Sequence, residues 1–407
     1  MKQRILFVGD YNRNDFLYAA KLIHKEVDIF FIEYLNKSKI TNKDYAEYGT
    51  ALFWKDFKSA YALIDKIKPQ KVIFYFIESY NHVALNVACK VKKIPTIHLE
   101  HGIRFSVAFY RNLYLSIKPT RPRTSVFKRV FNVKTSIEKY KNRQFFNQTV
   151  VKSPVEEKAF LKYFFRVRSE NNILDTFQIV KNKLRLPDRY ISFSPVVFNF
   201  HKELEALPDD YPVNYIGIPQ FDDLFKFSSI KETGNNVLLI DQPLHEQKYY
   251  GWTYGLKKKL FEELIKIVSQ LGKQLFIKPH PLNDPSIYNE IVNGNFTILG
   301  NEWQDEINET NTILGFSSTL LLPFIAMKSK SCFLLEMHPV RENEPYAQFL
   351  LNSNACHAVY NFNELIEKMK SWEYWHEEQS KFKNKFVKNY MYNFDGNSSA
   401  RLKKELQ

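Results

Sequence analysis

Two segments in the second half of the chain carry side chains that suit a phosphate group. The first is Lys278–Pro281, Lys-Pro-His-Pro, directly after the strand-like residues Leu275–Ile277. The two prolines fix the backbone on both sides of His280 and remove two N–H donors. An imidazole held this way beside the Lys278 ammonium can donate a hydrogen bond to a phosphate oxygen. A His after a strand can also serve as a structural hydrogen-bonding residue, so both roles stay open.

The second segment is Gly315–Thr319, with the sequence Gly-Phe-Ser-Ser-Thr, placed before a predicted helix Thr319–Met327. Glycine permits the tight turn, and Ser317 or Ser318 can cap the helix. Free N–H groups and the helix dipole at such a start favour an anion, and hydroxyl groups add donors. Helix capping alone would also explain these residues.

Two further loops follow predicted strands. Glu100 and His101, followed by a glycine, come after Thr96–Leu99, and Gln242 and Pro243 come after a strand that ends at Ile240. A carboxylate or an imidazole at a strand end can take a proton from a hydroxyl group, which is general-base catalysis. Gln242 can contact a ligand. Structural roles remain open for both loops, including an ion pair between Glu100 and a nearby arginine.

Several common motifs are missing from the sequence. It has no Gly-X-Gly-X-X-Gly after the first strand and no Walker A loop, which argues against a nicotinamide-dependent enzyme and a P-loop enzyme. It has no Asp-X-Asp pair and no His/Cys cluster with metal-ligand spacing. We therefore predict that His, Lys, hydroxyl groups and a helix end stabilise the phosphate charge without a metal ion or other cofactor.

The elements that must position these loops alternate between strand and helix. Continuous apolar strands joined by helices are typical of a parallel sheet covered on both faces. The alternation restarts near Asn236, which predicts two α/β domains. The predicted strands are Ile5–Val8, Val27–Ile32, Lys71–Ile77 and Thr96–Leu99, then Val237–Ile240, Leu275–Ile277, Phe296–Leu299, Thr312–Leu314 and Cys332–Leu335. Residues 103–185 read as basic and helical, and residues 190–235 as connective.

The net charge of +14 is concentrated in one stretch. Residues 103–168 hold sixteen Lys and Arg but only three Glu, with many aromatic residues between them. Such a surface suits a polyanion: an anionic membrane, an acidic acceptor or nucleic acid. A solvated helix face is the alternative. No apolar run is long enough to span a bilayer and no signal peptide is recognisable. The three scattered cysteines argue against a disulfide framework. We expect a cytoplasmic protein.

Taken in order, these motifs resemble a known family. Gln-Pro-Leu at 242–244, Lys278–Pro281 and the serines at 317–318, followed by Phe324–Met327 and Ser331–Leu335, are similar to bacterial sialyltransferases and polysialyltransferases of the glycosyltransferase-B architecture. Related loops occur in capsule Kdo transferases and CDP-glycerol glycerophosphotransferases. Where the sialyltransferases have two acidic residues before glycine, this chain has Glu-His-Gly, and the glycerophosphotransferases also have a His-Gly motif.

The resemblance implies two Rossmann-like domains facing a cleft. Residues 1–225 would bind the acceptor, residues 236–375 would bind the nucleotide sugar, and a C-terminal helix in 376–407 would pack back on the first domain. His280 would hold the phosphate of cytidine monophosphate (CMP) and contribute to catalysis, together with Ser317 and Ser318, and Glu100 would be the base. His101 remains the alternative base.

The sequence therefore predicts an inverting, metal-independent transferase of a CMP-activated acidic sugar, such as sialic acid, to a capsule or lipooligosaccharide acceptor. The enzyme would lie on the inner face of the cytoplasmic membrane through the basic stretch 103–168 and would not bind nucleic acid. Alternatives are a CDP-polyol phosphotransferase, a UDP-sugar transferase or epimerase, and a non-catalytic polyanion-binding protein, which would show salt-sensitive binding of RNA or DNA.

Overall fold

The computed structural model describes residues 2–103, 107, 133–228, 234–291, 294–340 and 345–407. The chain forms two compact units, Met1–Ile216 with Ser399–Gln407, and Gly217–Ser398. Much of the predicted basic segment, residues 104–106 and 108–132, lies outside the described residues, as do residues 229–233 of the predicted linker.

The first unit contains a seven-stranded sheet in the order β3-β2-β1-β4-β5-β6-β7, and all neighbouring strands are parallel. Its central strands are buried on both faces, which explains their continuous apolar sequences. The strands are β1 (Gln3–Val8), β2 (Val27–Ile32), β3 (Thr50–Leu52), β4 (Lys71–Phe74), β5 (Thr96–Leu99), β6 (Arg189–Ser192) and β7 (Val213–Tyr215).

Helices cover this sheet, and several begin at a serine whose hydroxyl accepts a backbone N–H bond. Ser59, Ser79 and Ser194 cap three of them in this way. Phe145, Phe160 and Phe164 anchor two of the following helices in the core. The helices of this unit are Asn14–Ile23, Ala60–Ile67, Tyr80–Val91, Val133–Lys152, Val155–Glu170, Ile173–Ile179 and Pro195–Glu205, and the final helix is Ser398–Leu406.

The prediction that residues 190–235 are connective was wrong. This range contains β6, the helix Pro195–Glu205 and β7, which extend the first sheet. The two strands are only four and three residues long, and β7, with the sequence Val-Asn-Tyr, is incompletely buried at the sheet edge. Strands of three or four residues are too short to show a clear apolar pattern, and β7 also lies at the edge of the sheet, where one side has no neighbouring strand.

The second unit contains a six-stranded parallel sheet in the order β10-β9-β8-β11-β12-β13. The order reverses between β8 and β11, which makes this the switch point of the sheet. The strands are β8 (Asn236–Ile240), β9 (Leu275–Lys278), β10 (Phe296–Ile298), β11 (Thr310–Gly315), β12 (Ser331–Leu335) and β13 (His357–Val359). The helices are Tyr254–Gln270, Ser286–Asn289, Leu321–Ala326, Gln348–Leu351, Phe362–Lys370 and Trp372–Phe386.

The C-terminal segment is divided between the units. Residues 376–398 lie in the second unit, whereas the prediction placed 376–407 on the first. Lys383 is buried in helix Trp372–Phe386, and its ammonium donates to the carbonyl of Met327 at 2.5 Å. Only residues 399–407 join the first unit, where Arg189 pairs with Glu405 at 2.5 Å. The second unit begins at Gly217, ahead of the predicted linker.

Candidate functional site

Three of the predicted ligand loops lie at one edge of the second sheet. Residues 241–244 follow β8, residues 279–281 follow β9, and residues 316–319 follow β11. Because β9, β8 and β11 are neighbours and parallel, their carboxyl ends lie side by side. Ligands of open parallel sheets bind at this edge, next to the switch point.

Gln242 ties two of these loops together. Its side-chain oxygen accepts a hydrogen bond from the backbone N–H of Ser317 at 2.8 Å, across the switch point. Its own carbonyl accepts from the Lys257 ammonium at 2.8 Å. Pro243 is buried behind it and contributes packing. Gln242 was predicted as a ligand contact, and the structure gives it a bridging position between the loops.

Behind this edge lies a buried ion pair that the sequence did not reveal. The Lys257 ammonium is 3.0 Å from the Asp241 carboxylate, and both side chains are fully buried. Asp241 also accepts from the Tyr288 hydroxyl at 2.6 Å and from the Asn283 amide. Burial raises the pKa of Asp241, and Lys257 and the hydrogen bonds oppose that rise. This cluster fixes the loop that carries Gln242.

Replacing Lys257 by Met should therefore destabilise the protein by about 3–5 kcal/mol, because Asp241 would remain buried without its cation. The free energy of unfolding, measured by urea denaturation, tests this. Lys259→Met is a matched control, because Lys259 is exposed on the same helix, and should change stability by less than about 0.5 kcal/mol. Equal, small effects for both variants would contradict a structural role for the pair.

His280 is held as a hydrogen-bond donor. Its Nδ1 accepts the backbone N–H of Leu282 at 3.1 Å, so the proton of the neutral ring resides on Nε2. Burial, with a smaller contribution from the Lys257 charge, lowers the pKa of His280. The ring is thus neutral at physiological pH, and its Nε2–H is the group that can donate to a phosphate oxygen.

Lys278 does not join the other predicted ligands. Its ammonium donates to the carbonyl of Gly300 at 3.2 Å and lies 5.7 Å from the ring centre of Trp303. Burial lowers its pKa. The Lys278 ammonium therefore contacts the chain just after β10. This position differs from the predicted contact with phosphate.

The serine loop follows β11 as predicted, but its helix is shorter. The helix begins at Leu321 rather than Thr319, spans six residues, and has no side-chain cap. The Ser318 hydroxyl instead accepts the N–H of Leu320 at 3.3 Å, and Thr319 is exposed. The predicted cap of a helix Thr319–Met327 was therefore wrong. A helix this short has a small dipole, so anion binding here depends on hydroxyls and loop N–H groups.

Gly315 leaves room for the side chain of Leu321 beside the serine loop. A Cβ atom at this position would lie 2.8 Å from a methyl group of Leu321, a side chain of the buried core. A larger residue would push Leu321 away and shift the serine loop. Gly315 is the last residue of β11 and is not among the glycines with positive φ, so the structure gives it a packing role rather than the predicted turn conformation.

In the first unit, Glu100 directly follows β5 and is fully buried. Its carboxylate is 2.8 Å from His201 Nε2. Its carbonyl accepts the Tyr18 hydroxyl at 2.6 Å, and its N–H donates to Ile191 at 2.9 Å. The carboxylate therefore points into the protein, toward the helix Pro195–Glu205, which was not predicted from the sequence.

His201 connects Glu100 to a buried charged network. Its Nδ1 lies 3.9 Å from Glu205, which in turn pairs with Arg185 at 2.7 Å. The Tyr190 hydroxyl donates to Glu205 at 3.0 Å. Although burial alone would raise it, the pKa of Glu205 is lowered, mainly by the Arg185 charge and by His201. The Arg185 and His201 side chains are at most 2% exposed, so this network is part of the core.

His101 is the more accessible of the two candidate bases. Its ring is partly exposed and packs 4.5 Å from Phe76 and 4.7 Å from Phe16, measured between ring centres. Phe76 follows β4, and Phe16 belongs to the helix after β1, so His101 lies at the switch point of the first sheet, between β1 and β4. His101 is partly exposed as a residue, with its Nδ1 buried, whereas the Glu100 side chain is 1% exposed.

A further histidine at the edge of the second sheet predicts a pH effect on stability. Trp252 donates to His338 Nδ1 at 3.0 Å, and burial lowers the pKa of His338 to about 4. An unfolded His titrates near 6.5, so below that pH the unfolded chain binds a proton that the folded protein excludes. Stability should fall as the pH drops from about 6.5 to about 4, by up to about 3 kcal/mol from this residue.

Unfolding curves of His338→Gln, measured from pH 7 to pH 4, check this effect. Gln retains an acceptor for Trp252 and does not titrate, so the variant should lose less stability than the parent protein over this range. Parallel curves for the two proteins would contradict the assignment.

Within the part of the chain that the structure describes, no three His, Cys, Asp or Glu side chains group closely enough to hold a metal ion. Across the same ranges, none of the helices is both long enough and apolar enough to cross a membrane.

Comparison with known families gives one match. Residues 14–331 match the family model described as "Alpha-2,8-polysialyltransferase (POLYST)". The matched range covers most of the chain and includes Glu100, His101, His280 and the serine loop. Comparison with curated protein sequences gives no match.

Three of the solved structures that are similar to this chain illustrate the likeness. They are the calicheamicin glycosyltransferase CalG4 (TM-score 0.52, 11% identity, 100% of this chain and 97% of that chain), MurG of Acinetobacter baumannii (0.50, 11%, 99% and 99%), and a variant of the wall teichoic acid polymerase TagF (0.50, 11%, 100% and 90%). At these identities the likeness shows the fold alone. The fold is that of glycosyltransferase-B enzymes, with two Rossmann-like domains, as the sequence predicted.

Proposed function

The chain belongs to the alpha-2,8-polysialyltransferase family, and we propose that this glycosyltransferase moves an acidic sugar, sialic acid or a close relative, from a CMP-activated donor to a glycan hydroxyl. The observation that carries the proposal is the serine loop tied by Gln242 beside His280 at the switch point of the second sheet. A nucleotide phosphate is the ligand that these donor groups suit best.

In this proposal the second unit stabilises the leaving CMP without a metal ion. The Nε2–H of His280 donates to the phosphate as negative charge develops on it, and the hydroxyls of Ser317 and Ser318 add further donors. Donors that are fixed before the reaction stabilise such charge at little reorganisation cost. The Asp241–Lys257 pair holds the loop in place behind them.

His101 of the first unit is proposed as the general base. It would take the proton of the acceptor hydroxyl, whose oxygen then attacks the donor sugar from the face opposite CMP, which inverts the anomeric configuration. Glu100 is a positioning residue, because its buried carboxylate contacts His201 and its carbonyl is held by Tyr18. The backbone next to His101 is thereby fixed from both sides.

The acceptor is proposed to be capsule or lipooligosaccharide, reached at the inner face of the cytoplasmic membrane. The described helices Val133–Lys152 and Val155–Glu170 support this, because Tyr140, Val151 and Val155 are between 63% and 86% exposed beside many Lys and Arg. Exposed apolar groups within a basic surface favour an anionic membrane.

A second candidate function is that of a CDP-polyol phosphotransferase. In that reaction the His101 imidazole would take the proton of an acceptor hydroxyl, and the hydroxyl oxygen would attack the phosphoryl group of the donor. Both reactions release CMP, but only the second adds phosphorus to the product. The enzyme should be incubated with the acceptor and either CMP-sialic acid or CDP-glycerol, and the product analysed by mass spectrometry. A mass increase of one sialic acid supports the first function, and a glycerol phosphate increment supports the second.

A further inference from the structure

Glu246 connects the loop that follows β8 to the loop that carries His280. One oxygen of its carboxylate, Oε1, accepts the backbone N–H of Asp284 at 2.8 Å. Glu246 comes after β8 and Asp284 comes after β9, so this bond joins the ends of two neighbouring strands. The Glu246 side chain is only 14% exposed. Hydrogen bonds from an N–H group to a carboxylate are among the stronger ones in proteins, so this contact holds the backbone at Asp284 firmly.

The segment 279–285 has few backbone donors with which to fix its own position. Its sequence is Pro-His-Pro-Leu-Asn-Asp-Pro, and the three prolines have no N–H group. The N–H of Leu282 donates to Nδ1 of the His280 ring, and the N–H of Asn283 donates to the His280 carbonyl at 2.9 Å. Both bonds stay within the turn. The N–H of Asp284 instead donates to Glu246, and this bond attaches the end of the turn to the neighbouring loop.

A second carboxylate of the loop after β8 binds the residue just before Asp284. The Asn283 side-chain amide donates to the Asp241 carboxylate. The Lys257 ammonium lies 3.0 Å from Asp241 and 3.6 Å from Glu246, and its side chain is fully buried. One buried cation therefore stabilises both carboxylates that bind the end of the turn.

Glu246 is also close enough to His280 to influence the charge of its imidazole. Burial and then the Lys257 charge lower the pKa of His280, and the negative charge of Glu246 opposes this effect. The orientation of the ring depends on the N–H groups of the two residues that precede Asp284. Contacts that fix Asp284 therefore also fix the direction of the His280 ring.

We propose that Glu246 is a positioning residue for His280. By binding the N–H of Asp284, it keeps the turn closed and directs the Nε2–H of His280 toward the donor phosphate. The proposal rests on the proposed function, because that function assigns His280 to the phosphate. Since Glu246 acts through His280, its loss should lower the rate only while His280 is present.

A double-mutant cycle tests this dependence. Glu246→Ala should lower kcat for CMP release up to about 10²-fold, the cost of displacing a functional group by roughly 1 Å. Glu246→Gln should lower kcat less than about tenfold, because its amide oxygen can still accept the N–H of Asp284. In a His280→Ala background, each substitution should lower the rate less than about threefold further. Equal losses with and without His280 would overturn the proposal.

Glu290→Ala is the matched control for the cycle. The Glu290 side chain is 50% exposed and pairs at 3.0 Å with Lys258, the residue next to Lys257. Its loss should change kcat less than about threefold. A loss as large as that of Glu246→Ala would contradict a specific role of Glu246. Thermal unfolding checks that each variant is folded, and Glu246→Gln alone carries the cycle if Glu246→Ala does not fold.

Hydrogen exchange tests the positioning role without any donor. The N–H groups of Leu282 and Asn283 should exchange at least about tenfold faster in Glu246→Ala than in the parent, because the turn opens more often. Glu290→Ala should exchange at the parental rate. Mass spectrometry of a peptide that contains residues 279–285 measures this, and unchanged exchange in Glu246→Ala would overturn the proposal. If the parent releases no CMP from CMP-sialic acid while exchange still depends on Glu246, the proposed donor fails and the positioning of His280 stands.

Discussion

Replacing His280 by Ala should lower kcat about 10²–10³-fold, the usual effect of removing one preorganised donor from a developing oxyanion. The Nδ1 atom is occupied by the N–H of Leu282, so the neutral ring offers Nε2–H to the phosphate. Alanine removes that donor and leaves the phosphate charge less well stabilised. Rates of CMP release at saturating donor measure the effect, and CMP affinity by calorimetry should fall in parallel.

Leu282→Ala is the matched control for this variant. Leu282 lies in the same loop and its side chain is 60% exposed, so its loss should change kcat less than about threefold. His280→Gln should recover part of the lost rate, because its amide N–H can approximate the Nε2 donor. A His280→Ala enzyme with the parental rate and affinity would exclude a role of this imidazole in donor binding.

The second large effect on kcat is expected from a substitution at His101 in the first unit. His101→Ala should lower kcat about 10²–10⁴-fold, as expected for loss of a general base, with CMP affinity unchanged. Glu100→Gln should lower kcat only about tenfold. Gln has nearly the same shape as Glu and keeps one oxygen that can accept a hydrogen bond from His201. The loss of the carboxylate charge weakens this contact and lets the backbone next to His101 move. Steady-state kinetics of both variants, with thermal unfolding to check folding, give the comparison.

Chemical rescue distinguishes a missing base from a disturbed fold. Added imidazole should restore part of the rate to His101→Ala, where the ring leaves space beside Phe16 and Phe76, and should do nothing for Glu100→Gln. The reverse ranking, an inactive Glu100→Gln enzyme and a nearly normal His101→Ala enzyme, would make Glu100 the base, as the family resemblance implied.

Much of the fold was predictable because its central strands are buried on both faces. The continuous apolar runs at Ile5–Val8, Val237–Ile240 and Cys332–Leu335 are direct consequences of that burial, and each is part of a strand. The short strands β6 and β7, of four and three residues, carry no such pattern. The helix between them, which supplies His201 and Glu205, was missed with them.

The candidate site was predictable where the functional side chains come directly after a strand in the sequence, as at His280 and the serine loop. It was not predictable where the partners are distant in sequence. Lys257 reads as one of three consecutive surface lysines, yet its side chain is buried against Asp241. Arg185 and His201 reach the Glu100 region only through the packing of β5 against β6. From the sequence alone Glu100 resembles an accessible base, but in the structure it is fully buried.

The cytidine donor is tested most directly by thermal unfolding of the purified protein with CMP, CDP, UMP or UDP, each with and without EDTA. A nucleotide that binds the folded state raises the unfolding temperature, and at a fixed concentration a tighter ligand raises it more. We expect CMP to stabilise the protein most, equally in EDTA, and to lose its effect in His280→Ala. Stabilisation by UDP in preference to CMP, or an effect that EDTA removes, would contradict a metal-independent CMP-sugar transferase.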